Sequence, residues 1–205
     1  MNEINEHKPL GEADLKRALD ALAFRLKEND AGPYSLVVCG GSALILTGAV
    51  PRTTKDVDVV ALMEDGRLAS PQPLPEDLLQ AVREVAADED LTEEWLNNGP
   101  SKDPQMGLFQ GGLPTGFAER LSRRDFGDRL AVFFISRIDQ IFFKVYASVD
   151  RGGYHVNDLH ALKPSTDELV AAVEWARSHD PSDGFLMMTR SMLKQIGYPD
   201  AAERL

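Results

Sequence analysis

The sequence predicts an α+β fold in which a small mixed β-sheet is flanked by helices and followed by a helical C-terminal part. Residues 36–39 form an apolar run that stops at Gly40 and Gly41 and leads directly into a helical pattern, which is typical of a buried strand followed by a helix. Asp56 and Asp58 alternate with valines in a second strand-like run. The C-terminal part of the chain repeats apolar residues at helical spacing.

The remaining elements follow from apolar periodicity and from helix start signals. A third strand is predicted over 129–135, and Ser136 and Ser165 each precede an acidic residue by three positions, a pattern that opens helices. Helices are predicted over 12–28, 76–87, 92–98, 136–149, 154–162, from 165 onward, and over 181–196. The chain is expected to divide into a sheet-bearing core, 1–135, and a helical part, 136–205, packed on that core as one compact unit.

Composition limits the classes of function. The chain has 205 residues, a net charge of −11 and a single cysteine. It has the apolar content of a soluble protein and no apolar run of membrane-spanning length, so a cytoplasmic location without membrane contact is expected. The net charge opposes broad binding to nucleic acid, whose affinity comes mainly from neutralised phosphates. A local basic patch remains open, because four arginines fall between 120 and 129: Arg120, Arg123, Arg124 and Arg129.

Gly40-Gly41-Ser42 is a candidate phosphate-binding turn. Glycines have no Cβ atom, so ligand oxygens can approach their backbone closely. The start of the following helix adds backbone N–H groups and the positive end of the helix dipole. An ordinary strand-to-helix turn would have the same sequence, so the motif gains meaning only together with the acidic pair that follows it.

Asp56 and Asp58 form the candidate metal site. Their spacing places both carboxylates on one face of a strand and Val57 on the other. Oxygen ligands of this kind suit Mg²⁺, which takes one or two carboxylates and completes its shell with water and substrate phosphate. A phosphate-binding turn beside a Mg²⁺ site is what nucleotidyl transfer needs. A half-exposed edge strand with incidental acids is the alternative.

The order Gly-Gly-Ser, a gap, then Asp-x-Asp between hydrophobic residues resembles the signature of the polymerase-β-like nucleotidyltransferase superfamily. The run Arg52-x-Thr54-Lys55-Asp56-x-Asp58 is similar to one branch, the AbiEii-type toxins of bacterial toxin–antitoxin systems. This resemblance implies transfer of an NMP from an NTP such as ATP to an acceptor hydroxyl, on an RNA 3′ end or a protein, with release of pyrophosphate. It further implies a Mg²⁺ cofactor, a cognate antitoxin, and nucleotide contacts from Gly40, Gly41, Ser42 and Arg52.

The C-terminal part carries a second resemblance to the AbiEii-like proteins. A Lys-x-x-Ala helix at Lys144 is followed by a short arginine-containing turn and an Asp-Leu helix at Asp158. The resemblance implies that Lys144 contacts the triphosphate and that Asp158 is a further catalytic acid. The sequence departs from the family at 155–157, where an Arg-Asp pair is usual, and the predicted strand 129–135 lacks the third carboxylate common in the superfamily.

Two other functions stay open. A catalytically idle nucleotidyltransferase fold would act as a binding module, and the missing third carboxylate favours it. A purely structural helical interaction protein would make both aspartates incidental and Lys144 an ordinary surface residue. The stretch 99–116, with five glycines and three prolines, is either a lid over the acceptor or a passive connector.

Overall fold

The computed structural model describes residues 9–205, with every side chain in that range except that of Asp150. The chain divides into two compact units. The sheet-bearing unit comprises Met1–Gln110 with Leu121–Phe134, and the helical unit comprises Gly111–Arg120 with Ile135–Leu205. The chain crosses between the units three times, and the third crossing, between Phe134 and Ile135, lies next to the division expected from the sequence. The segment 111–120 belongs to the helical unit and not to the sheet-bearing one.

The elements of the described residues follow one another along the chain in this order: α1 (Glu12–Glu28), β1 (Tyr34–Cys39), α2 (Gly40–Leu46), β2 (Val57–Glu64), β3 (Arg67–Ala69), α3 (Glu76–Glu89), β4 (Leu96–Asn97), α4 (Leu108–Gly111), β5 (Ser122–Asp125), β6 (Leu130–Phe134), α5 (Arg137–Arg151), α6 (Tyr154–Ala161), α7 (Thr166–His179), α8 (Asp183–Gln195) and α9 (Pro199–Glu203). Helix α1 has the bounds that its apolar periodicity predicts. Helices α4 and α9 and strands β3, β4 and β5 were not predicted.

The sheet is mixed, which confirms the predicted fold class. Its strand order is β3-β2-β1-β6-β5, and β4 pairs with the beginning of β2. Strand β1 runs antiparallel to β2 and parallel to β6. Its last four residues, 36–39, are buried, as expected for a central strand covered on both faces.

The pairing of β1 with β2 determines where the candidate site lies. Strand β1 ends at Cys39, and α2 begins at the next residue, Gly40. Cys39 is paired with Asp58 across the sheet. The turn that leaves β1 and the beginning of β2 are therefore neighbours in space, although 17 intervening residues, 41–57, separate Gly40 from Asp58 in the chain.

The helix predicted over 92–98 is wrong, because this segment forms a turn followed by strand β4. Trp95 is fully buried, and its indole Nε1 donates a hydrogen bond to the Val82 carbonyl at 3.0 Å. The Trp95 carbonyl in turn accepts a 2.6 Å hydrogen bond from the Val57 amide at the start of β2. Burial of a large aromatic side chain and pairing with the sheet outweigh the weak local preference for helix.

The start of the glycine- and proline-rich stretch 99–116 is anchored to the sheet. Ser101 is fully buried and donates a 2.8 Å hydrogen bond to the Val60 carbonyl in β2. Its hydroxyl also accepts a hydrogen bond from the Phe109 amide at 3.3 Å. These two hydrogen bonds join the start of the stretch to β2 within the sheet-bearing unit.

The helical unit is organised around α5, which packs against α6, α7 and α8. Both predicted helix start signals are confirmed. Ser136 accepts a hydrogen bond from the Asp139 amide, and Ser165 forms a capping box with Glu168. Across residues 9–205, no helix has both the length and the apolar character needed to cross a membrane.

Candidate nucleotide and cation site

The site begins where the backbone of Gly40 meets the side chain of Asp58. Gly40 has a φ of +69°, a conformation that glycine adopts easily. A Cβ atom on Gly40 would lie only 2.6 Å from Asp58 Oδ2. The absence of a side chain therefore lets the carboxylate lie directly against the turn between β1 and α2. The structure brings these two predicted site residues together.

Gly41 is in similarly close contact with the segment that precedes β2. A Cβ atom on Gly41 would lie 2.7 Å from Thr54 Oγ1 and 2.9 Å from Arg52 Nη2. The Arg52 guanidinium also donates a 2.7 Å hydrogen bond to the Thr53 carbonyl, which keeps it beside the glycine. Leu10 pairs with Thr54 through two backbone hydrogen bonds of 2.7 and 3.0 Å and fixes this segment. A guanidinium thus lies over the bare backbone of the predicted phosphate-binding turn.

Asp56 lies immediately before β2, and Asp58 is the second residue of that strand. Both are half-buried, whereas Val57 and Val59 are fully buried on the opposite face. Burial raises the pKa of Asp56, and hydrogen bonds from the side chains of Thr54 and Asn97 only partly oppose this effect. The ionised Asp56 is therefore incompletely stabilised by the protein alone.

This set of ligands fits a divalent cation that prefers oxygen. Asp56 and Asp58 supply two half-buried carboxylates, and Mg²⁺ takes one or two carboxylates together with substrate phosphates. No cluster of three His, Cys, Asp or Glu side chains suited to a metal occurs among the residues described. A cation at this site would therefore take the rest of its coordination shell from water and ligand.

Ser42 supports the turn from inside. Its side chain is fully buried, and its hydroxyl donates a 3.3 Å hydrogen bond to the Cys39 carbonyl. The predicted nucleotide contact of Ser42 therefore does not involve a solvent-facing hydroxyl. Gly40, Gly41, Arg52, Asp56 and Asp58 are the members of the predicted site that the sheet-bearing unit brings together.

Lys144 and Asp158 belong to the helical unit, where they form a buried ion pair. Lys144 Nζ lies 2.7 Å from Asp158 Oδ2, and the two side chains are 4% and 2% exposed. The ammonium also lies 3.5 Å from His155 Nδ1 and 5.6 Å from the centre of the Tyr154 ring. Lys144 is therefore not a surface residue, and its charge is balanced within its own unit.

Sequence reasoning missed Asn97 and Gly99 of the sheet-bearing unit. Asn97 lies in β4 opposite Asp58, and its side chain acts to lower the pKa of Asp56. A Cβ atom on Gly99 would lie 2.8 Å from Asn97 Oδ1 and 4.0 Å from Asp58 Oδ1. Both residues follow Trp95 and lie in or just after β4. A strand of two residues leaves no pattern long enough to recognise in the sequence.

The predicted arginine patch has little unbalanced charge. Arg120 lies in the helical unit, and the other three arginines lie in the sheet-bearing unit. Each has an intramolecular partner: Arg120 pairs with the buried Asp139, Arg123 with Asp125, Arg129 with Asp30, and Arg124 donates to the Leu46 carbonyl. Because three of the four charges face a carboxylate, the patch offers a weak surface for a polyanion.

Replacing Gly40 with alanine is expected to damage the site beyond its effect on stability. Gly40→Ala introduces both backbone strain and a Cβ contact with Asp58 Oδ2. Gly48→Ala is the matched control, because Gly48 has a φ of +74° but nothing within 4 Å of an added Cβ. Both variants should lose about 1–2 kcal/mol of stability. Only Gly40→Ala should weaken Mg²⁺-dependent nucleotide binding, by roughly 10-fold or more, measured by calorimetry. Equal binding by the two variants would contradict the assignment of Gly40.

Comparison with known proteins identifies the family of the chain. A family described as "Nucleotidyltransferase of unknown function (DUF6036)" matches residues 15–163, well over half of the chain. No curated protein and no solved structure is significantly similar to the chain. The matched range contains the glycine turn and both aspartates. The resemblance to AbiEii-type toxins is a finer assignment than this match makes. The chain belongs to the DUF6036 family of nucleotidyltransferases of unknown function.

Proposed function

We propose that this protein is a Mg²⁺-dependent nucleotidyltransferase that transfers an NMP from an NTP to an acceptor hydroxyl. The observation that carries the proposal is the direct approach of the Asp58 carboxylate to the bare backbone of Gly40, in a chain of a nucleotidyltransferase family. This approach places a candidate phosphate-binding turn and a candidate cation site at one point of the sheet-bearing unit.

The acidic residues of the site and its other members would have different roles in binding the nucleotide. Asp56 and Asp58 would hold the cation, which neutralises phosphate charge when it is bound. Arg52, beside Gly41, supplies a guanidinium, and this group binds phosphate oxygens through paired hydrogen bonds. The two glycines leave room for phosphate oxygens at the backbone. Each of these groups stabilises negative charge, and such charge builds up on the leaving pyrophosphate.

The reaction exchanges one phosphorus–oxygen bond for another. The acceptor oxygen forms a bond to the α-phosphorus, and the bond between that phosphorus and the bridging oxygen to the β-phosphate breaks. Pyrophosphate leaves with the bonding electrons, and the proton of the acceptor hydroxyl passes to solvent. No redox partner is required.

The charge distribution favours a protein hydroxyl over RNA as the acceptor. The net charge is −11, and three arginines of the candidate patch are paired with carboxylates. A polyanion would bind such a surface weakly, because its affinity depends on unbalanced positive charge.

The resemblance of the segment 52–58 to AbiEii-type toxins supports a narrower role as the toxin of a toxin–antitoxin pair. Expression of the chain alone should then arrest bacterial growth, and the Asp56→Asn, Asp58→Asn double variant should not.

Transfer is tested by incubating the protein with each NTP, labelled at either the α- or the γ-phosphate, together with Mg²⁺, total cell protein and total RNA. Label from the α-phosphate should enter protein, label from the γ-phosphate should leave as pyrophosphate, and chelation of Mg²⁺ should stop both. Label in RNA would instead identify RNA as the acceptor. Mg²⁺-dependent nucleotide binding without transfer would establish the idle binding module, and neither binding nor transfer would overturn the proposal.

A further inference from the structure

Asn97 connects the two aspartates of the candidate site. It lies directly opposite Asp58 in the parallel pairing of β4 with β2. Its side chain also stands beside the Asp56 carboxylate, whose pKa it acts to lower. One neutral side chain, that of Asn97, therefore stands beside both aspartates.

The Asn97 side chain is itself held from two directions. Its Oδ1 accepts a 2.7 Å hydrogen bond from the Gly99 amide, and its Nδ2 donates a 3.2 Å hydrogen bond to the Glu94 carbonyl. These contacts fix the amide so that the oxygen faces the turn and the nitrogen can donate. An asparagine fixed in this way can orient a carboxylate, as the groups behind metal ligands do.

Gly99 completes this arrangement. An added Cβ atom would lie 2.8 Å from Asn97 Oδ1, so any larger residue would displace the amide. The same Cβ atom would lie 4.0 Å from Asp58 Oδ1, which shows that the turn after β4 reaches the second carboxylate. The segment 97–99 therefore borders the site as well, at a greater distance from Asp58 than the glycine turn.

We propose that Asn97 is a positioning residue of the cation site, one that orients Asp56 beside Asp58 and thereby determines how tightly the pair binds a divalent cation. The inference rests on the proposed function, because it assumes that the two aspartates take a cation. A neutral amide at this position also limits the site to two carboxylates. A third would increase repulsion in the cation-free protein and attraction for the cation.

Asn98 provides a matched control one position away. Its Nδ2 donates a 2.8 Å hydrogen bond to the Pro71 carbonyl and a further one to Gln72 Oε1. These contacts join two loops. Asn98→Ala should therefore lower thermal stability as a structural asparagine would, without changing cation affinity.

The test uses Mn²⁺ as the probe and measures its dissociation constant by electron paramagnetic resonance, and the melting temperature with and without Mn²⁺. Asn97→Ala should weaken Mn²⁺ binding by roughly 10-fold or more, as loss of an orienting group does. Asn97→Asp should lower the melting temperature of the cation-free protein, and Mn²⁺ should raise it more than in the wild type.

Three results would overturn the inference, and they have different meanings. If the wild type binds Mn²⁺ and Asn97→Ala binds it equally tightly, Asn97 is only a structural residue. If Asn97→Ala does not fold, the same conclusion follows from an Asn97→Asp protein whose melting temperature responds to Mn²⁺ as the wild type does. Absence of Mn²⁺ binding in the wild type removes the cation site itself, and with it both the inference and the proposed function.

Discussion

Replacing Asp56 and Asp58 together with asparagine is expected to abolish Mg²⁺-dependent nucleotide binding while the fold survives. Each carboxylate would make a charge-assisted contact worth about 1.5–3 kcal/mol, so losing both should weaken binding by about 100-fold or more. Stability should not fall, because burial raises the pKa of Asp56 and its ionised form therefore disfavours the folded state. Calorimetric titration with NTP in the presence and absence of Mg²⁺ measures the first effect, and thermal unfolding measures the second.

The control for this variant changes the same net charge at the other end of the same strand. Glu64 and Asp65 are exposed residues at the turn between β2 and β3, and Asp65 has a φ of +49°, which asparagine also tolerates. Glu64→Gln with Asp65→Asn should therefore leave both stability and nucleotide binding unchanged. Equal loss of binding in both double variants would mean that net charge, and not the candidate site, controls the affinity.

Replacing Lys144 with methionine is expected to destabilise the helical unit strongly. Methionine keeps an apolar stem of similar length but leaves the buried Asp158 without its ammonium partner. Breaking a buried ion pair in this way costs about 3–5 kcal/mol. Denaturant unfolding at pH 7 measures the loss. This expectation differs from the one based on sequence, in which Lys144 acts mainly through the charge of the triphosphate, because the structure places the lysine inside its unit.

A second change separates the buried charge from the loss of packing. Lys144→Met combined with Asp158→Asn removes both charges, so most of the lost stability should return. Lys194→Met is the matched control, since Lys194 is an exposed lysine of the same unit, and its change should stay within about 0.5 kcal/mol. A Lys144→Met protein as stable as Lys194→Met would show that the ion pair does not stabilise the fold.

Much of the fold could be predicted because its signals are local. The apolar stripe of α1 has a clear beginning and end, and the Ser-x-x-Asp and Ser-x-x-Glu patterns start α5 and α7 where they predict. The same holds for half of the site. Gly40 follows its strand directly, and Asp56 and Asp58 lie two residues apart at the start of β2, so the chemistry of these residues was evident from neighbours in the sequence.

The rest depends on pairings that the sequence does not record. Asn97 reaches the site only because a two-residue strand pairs in parallel with β2, and the same pairing made the predicted helix 92–98 wrong. The burial of Lys144 depends on how α6 packs against α5, which places Asp158 beside it. Neither contact leaves a periodic pattern, since each joins single residues that are distant in the chain.

The central claim is that nucleotide and cation bind together at the turn after β1 and the start of β2. Its most direct test is the loss of amide signals in ¹⁵N NMR spectra when Mn²⁺ and a non-hydrolysable NTP are added, with Mg²⁺ as the diamagnetic reference. The amides of Gly40, Gly41 and Asn97 should lose intensity first. Gly66, roughly 25 Å from Asp58 along the strand, should keep its signal. Broadening centred elsewhere in the chain, or spread evenly over it, would contradict the assignment.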